Sequence, residues 1–165
     1  MPQSQLIYEM CLYCNNFFVN KDTDIHAGMY KIQNGAIYEL YDWDSLDLRT
    51  GLTRETQALQ NGQYFRIVGS VLNDGVYKYP VTDLTDEIFD GAIWAMRLPP
   101  AFIALASEIE QWQTANADAI NSPYQSESFG GYSYSKRTGA DGDGGALTWQ
   151  TQFKSRLNRW RRTQV

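Results

Sequence analysis

Apolar residues recur at helical spacing near the start of the chain. Ile7, Met10, Cys11, Cys14 and Phe18 fall on one stripe and Ser4 stands where an N-cap belongs, so the spacing predicts a helix over 4–19. From Gly28 the period changes to two. The runs 29–32 and 36–40 flank Asn34-Gly35, two residues that tolerate the positive φ of a tight turn, and this predicts a β-hairpin. The polar stretch 42–61 reads as a loop. The runs 62–72 and 76–79 flank Asn73-Asp-Gly75 and predict a second hairpin, with Gly69 marking a bulge or a close backbone approach and Pro80 ending the last strand.

At Leu84 the period reads as helical again. Leu84, Ile88, Phe89, Ala92, Ile93 and Met96 line up on one stripe, and Asp83, Asp86, Glu87 and Asp90 gather at the end where a helix dipole favours acids. Pro99-Pro100 breaks that segment. Pro100 suits the first position of a further helix with Phe102, Leu105, Ile109 and Trp112 on one face, fading after 116. Residues 122–147 are rich in Gly and Ser and have no core of their own. Between 148 and 162 a pattern returns: Trp149, Phe153, Leu157 and Trp160 share one side of a helix, with Lys154, Arg159, Arg161 and Arg162 outside it.

The expected fold class is therefore α+β: a helical body carrying an inserted antiparallel β module of two hairpins, and an extended C-terminal arm that ends in a short amphipathic helix. The body is placed at 1–121 (helix 4–19, β module 28–80, helices 84–116) and the arm with its basic helix at 122–165. An arm that cannot pack on itself needs another surface. Its large side chains, Tyr124, Phe129, Tyr132, Tyr134, Trp149, Phe153, Leu157 and Trp160, together with Arg156 and Arg159, form the expected docking interface.

Charge sharpens that division. Beyond residue 135 there are seven Lys/Arg against Asp141 and Asp143, while residues 1–135 hold seven basic and seventeen acidic residues. An acidic body with a basic tail favours head-to-tail association of like subunits or docking on an acidic partner. Trp and Tyr are plentiful, five and eleven, and suit interfaces as well as cores. Glu9 and Asn15 interrupt the apolar residues near the start, so no secretory signal or membrane span is read, and synthesis in the cytosol is the expectation.

Chemistry is sparse. The lone His26 has no neighbour that would make it a general base. Cys11 and Cys14 have the spacing of a metal or redox pair, but a zinc site needs two further ligands, and both sulfurs lie on the apolar stripe, so packing is the expected role. The segments 42–47 and 141–145 lack the ordered ligands of a calcium loop, and neither Gly pair opens a phosphate loop. The basic helix could stack its tryptophans on nucleic acid, but the acidic total and the apolar placement of both Trp favour protein as the target. The expectation is no catalytic residue, no metal and no cofactor.

Several stretches resemble proteins encoded in the head-tail gene block of long-tailed bacteriophages and prophages: Gly62-Gln-Tyr-Phe-Arg-Ile-Val-Gly-Ser-Val-Leu72 with its continuation to Tyr79, Leu84 to Trp94 with Leu98-Pro-Pro100, Ser122-Pro-Tyr-Gln-Ser-Glu-Ser-Phe-Gly-Gly-Tyr-Ser-Tyr-Ser-Lys136, and Trp149 to Trp160. These are similar to head-tail connector, or adaptor, proteins. The resemblance covers roughly 60–162, and its least ordinary part is the Ser-Glu-Ser-Phe-Gly-Gly-Tyr-Ser-Tyr arm. It implies a structural virion protein of the neck, made in the bacterial cytoplasm and forming a ring with itself, commonly of twelve subunits. Its implied partners are the portal protein and a tail-proximal neck or tail terminator protein, with packaged DNA passing through the channel without sequence-specific binding. A β-rich module at 28–80 departs from the better known helical connectors. Two other classes stand beside this reading: a carbohydrate- or cell-surface-binding module using exposed aromatics, and a small hydrolase using Asp83, Asp86 or Glu87.

Overall fold

The structure is a computed structural model that describes residues 1–40, 53–55, 58–121, 126–129, 132–135 and 147–163. In chain order its elements are α1 (Gln3–Cys14), β1 (Ile25–Gln33), β2 (Ala36–Leu40), β3 (Thr53–Glu55), β4 (Tyr64–Val68), β5 (Gly75–Lys78), β6 (Glu87–Ala95), α2 (Pro100–Ala115), α3 (Ala117–Asn121), β7 (Ser126–Phe129), β8 (Tyr132–Ser135), α4 (Trp149–Gln152) and α5 (Lys154–Asn158). Six strands form one antiparallel sheet in the order β3-β2-β1-β6-β4-β5, and β7 and β8 form a separate two-stranded sheet.

The first predicted helix forms but stops early. Asn15 adopts φ 49°, and its amide and that of Asn16 donate to the carbonyls of Leu12 and Cys11, closing α1 at Cys14. Leu6, Ile7, Met10, Cys11 and Cys14 are buried as the stripe requires. Phe18 lies beyond the helix yet still reaches the core, 4.7 Å from the ring of Phe102. The first hairpin is formed by β1 and β2, with Asn34 and Gly35 at φ 51° and 78° in the turn. In the second, β4 and β5 pair around a longer loop, 69–74.

The predicted helix at 84–96 is a strand, and this overturns the expected architecture. Strand β6 pairs with β1 along one edge and β4 along the other, which makes it the centre of the sheet. Phe89, Ile93 and Ala95 face one core, while Ile88, Asp90, Ala92 and Trp94 point to the opposite face. A central strand that carries apolar side chains on both faces has no clean alternation, and its run can be fitted by a 3.6-residue stripe that takes residues from each side. Backbone approach is close here: a Cβ on Gly91 would stand 2.1 Å from the Val68 carbonyl oxygen. The β residues are thus the frame of the domain and not an insertion in a helical body. The fold is mixed α+β, organised on one antiparallel sheet with short helices packed on one face.

That sheet separates two cores. On one face Tyr64, Val76 and Met96 meet α1, α2 and the C-terminal residues Trp149 and Leu157. On the other, Tyr30, Ile32, Ile37, Phe65, Ile67 and Phe89 are covered by Leu59, Leu84 and the chain around Tyr79 and Val81. Pro100 opens α2 as predicted, and Phe102, Leu105, Ala106 and Ile109 are buried.

Candidate interaction surfaces

The C-terminal helices are built onto the body. Thr148 caps α4 reciprocally with Thr151, and Phe153 turns the chain from α4 into α5. Trp149 is 5% exposed and Leu157 is fully buried. Phe153 meets Trp112 edge-on at 5.9 Å, and Trp160 meets Phe102 at 5.7 Å. Polar contacts seal the seam: Asn16 Nδ2 donates to the Trp160 carbonyl at 3.0 Å, and the Arg162 amide donates to the Cys14 carbonyl at 3.0 Å. Arg156 forms a two-pronged ion pair with Glu108 of α2, and the Arg159 guanidinium lies over the Trp160 ring. The apolar face predicted to dock elsewhere therefore meets α1 and α2 of its own chain.

The remaining predicted docking residues are placed apart from these. Phe129 pairs with Tyr132 and Tyr134 with Glu127 in the backbone register of β7 and β8, between the end of α3 and the buried Leu147. Tyr124 lies outside the described residues, as do the acidic segments 42–47 and 141–145.

Among the described residues no constellation for catalysis stands out. Burial pushes the Cys11 thiol far up and the Cys14 thiol up to about 11, so neither is a ready nucleophile or ligand. Among the described residues no group of three or more His, Cys, Asp or Glu side chains is placed to hold a metal ion. Of the three carboxylates that are candidates for hydrolysis, Asp86 and Glu87 have structural partners. Asp86 accepts from the Asn34 amide in the hairpin turn at 2.8 Å. Glu87 accepts from the Ser70 hydroxyl, the Val71 and Leu72 amides and Asn73 Nδ2. Burial opposes its charge, yet these donors together hold it below the usual carboxylate range. Asp24 is held low mainly by the Arg97 guanidinium, 2.7 Å away. The aromatic residues Tyr30, Tyr64, Phe65 and Phe89 are buried, leaving them unavailable as a sugar-binding platform.

Two surface features were not read from the sequence. Glu87 fixes loop 69–74, whose Val71 and Leu72 are 89% and 59% exposed. At the other end of β6, an open groove of about 820 Å³ has Phe17, Val19, Ile25 and Trp94 in its walls and Lys21, Arg161 and Arg162 on its rim. Behind it the Arg66 guanidinium lies 4.1 Å from the Phe17 ring centre and 4.8 Å from that of Trp94, with its Nε buried and without a hydrogen-bond partner among the described residues. Paired aliphatic residues just before the Asn73-Asp-Gly75 turn were the available signal for the first. The groove had none, because its walls come from three separate segments. Comparison of the chain with protein-family models, curated proteins and solved structures finds no match.

Proposed function

We propose that the chain is a structural virion protein, a head-tail connector that forms a ring between portal and tail and prolongs the DNA channel. The observation that carries this reading is the β7–β8 hairpin. It occupies the stretch with the strongest resemblance to connector proteins, and it forms its own sheet between α3 and α4, outside the six-stranded sheet. A hairpin whose strands pair with each other and not with the six-stranded sheet can pair with, or lie on, a neighbouring subunit or the portal without opening that sheet. The acidic balance of residues 1–135 suits a channel wall, since like charge lets DNA slide past without sticking.

In this reading the hairpin is the docking element, and α4 and α5 are the clamp that returns the chain to the body. Replacing residues 126–135 by a Gly/Ser run of equal length keeps the chain closed. The variant is expected to keep the melting midpoint of the wild type and to lose the joining of filled heads to tails, scored by electron microscopy of particles. Wild-type numbers of joined particles from that variant would remove the proposal.

A further inference from the structure

The tip at Val71-Leu72 and the groove at Phe17 and Trp94 stand at opposite ends of one strand. Glu87 pairs with Ile32 at the first end of β6 and Trp94 with Ile25 at the second, a separation of roughly 23 Å at the usual rise of a strand. The two surfaces are complementary in form: the tip offers two aliphatic side chains on a loop held by a carboxylate, and the groove offers an apolar strip of Phe17, Val19, Ile25 and Trp94 among the polar Asn15, Asn16 and Thr163. They are also complementary in charge. Asp74, Asp86 and Asp90 are exposed around the tip, with Lys31 the cation opposite Ile88. Lys21, Arg161 and Arg162 are exposed around the groove with Arg66 behind its floor, while Asp22 is exposed and Asp24 is engaged by Arg97.

We infer that this groove receives the Val71-Leu72 tip of a second copy of the chain. Different patches meeting head to tail form a heterologous interface, which closes into a ring when the rotation per subunit permits and otherwise grows as a filament. The seat covers a small apolar area, so a single contact is weak, and closure of a ring makes the last contact intramolecular and the whole durable. Basic rim and acidic tip steer the encounter, which makes assembly sensitive to salt. The ring interface deepens the connector reading and rests on it for its closed form.

Cysteine pairing tests the contact directly, since the native Cys11 and Cys14 are buried. Full-length Leu72→Cys and Val19→Cys chains, each at an exposed or half-exposed site, are mixed under a mild oxidant and run on a non-reducing gel. The expected product is the mixed dimer, at least tenfold over either homodimer, and a ladder from the double variant; Lys21→Glu with Arg162→Glu is expected to lower the yield at least tenfold while circular dichroism stays unchanged. A dominant Leu72→Cys homodimer, or no cross-link, overturns the interface. Rings of wild-type protein under the electron microscope without the mixed cross-link would overturn this interface and leave the connector reading standing. The mixed cross-link with open filaments only would keep the interface and remove that reading.

Discussion

The two parts of the C-terminal segment meet opposite fates. Residues 147–163 have an apolar stripe, basic outer positions and little length, the pattern of a helix waiting for a partner, yet their partner is the seam between α1 and α2. The stretch 126–135 has Gly, Ser and Tyr and no helical stripe, yet its segments 126–129 and 132–135 form a two-stranded sheet separate from the main one. Amphipathicity says that a face will be buried, not by whom. What decides is the space left by the rest of the fold: at the end of α1 the Cys14 carbonyl accepts from the Arg162 amide, while the Cys14 thiol and the Asn16 side chain donate to the Leu157 and Trp160 carbonyls. Under the proposed function, stability falls to 147–163 and docking to 126–135, neighbouring pieces of one segment.

Leu157→Ala tests that division most severely. The side chain is fully buried, and deleting it removes packing contacts and leaves a cavity, an expected loss of about 2–5 kcal/mol in urea unfolding. The same measurement on the 126–135 replacement is expected to show no loss. A Leu157→Ala protein as stable as wild type would mean that α5 leaves the body easily, and the clamp and the docking element would have to exchange roles.

Glu87→Gln probes the tip. Charge-assisted bonds to several donors of loop 69–74 weaken together, for an expected loss of about 1–2 kcal/mol once partial exposure is allowed for. Because the folded carboxylate sits below its unfolded value of about 4.3, its contribution is complete above that value and disappears as pH falls through the folded one. The gap in stability between wild type and variant should therefore be widest near neutrality and shrink as pH falls below the unfolded carboxylate value. Hydrogen exchange should quicken at Val71 and Leu72 and stay unchanged in α5. A gap that widened on acidification would contradict the placement of Glu87 as the ionised anchor.

How much of this was legible depends on whether a residue's role is local. Asn34-Gly35 needs positive φ and Pro100 needs a helix start, so the first hairpin and α2 could be read where they stand. β6 could not, since its two edges are satisfied by β1 and β4 and its two faces by different cores. Of the acids that look like a helix start, Asp86 is instead bonded to the Asn34 turn and Glu87 to loop 70–73. Among the ten docking residues chosen from sequence, Trp149 and Leu157 are interior, Phe153 and Trp160 pack beside them, and the groove residues Phe17, Val19, Ile25 and Trp94 were outside the set. Contacts between residues more than a hundred positions apart leave no mark on the local pattern.

The smallest effect is expected where the drawing of the interaction is strongest. Arg156 and Glu108 join α5 to α2 through two contacts, and hydrogen bonding to Arg156 holds the Glu108 carboxyl below its usual value. Both side chains are nevertheless about half exposed, so water and salt compete for each of them and the ordering of two long side chains offsets the attraction. Arg156→Ala and Glu108→Ala are expected to leave the melting midpoint within the scatter of the wild type at physiological salt, with the double variant no lower than either. If Arg156→Ala instead destabilised as much as Leu157→Ala, the clamp would be electrostatic, its hold would fall with salt, and the apolar seam would be secondary. The burial of Leu157 beside an exposed ion pair, one residue apart on the same short helix, is what makes the contrast a direct one.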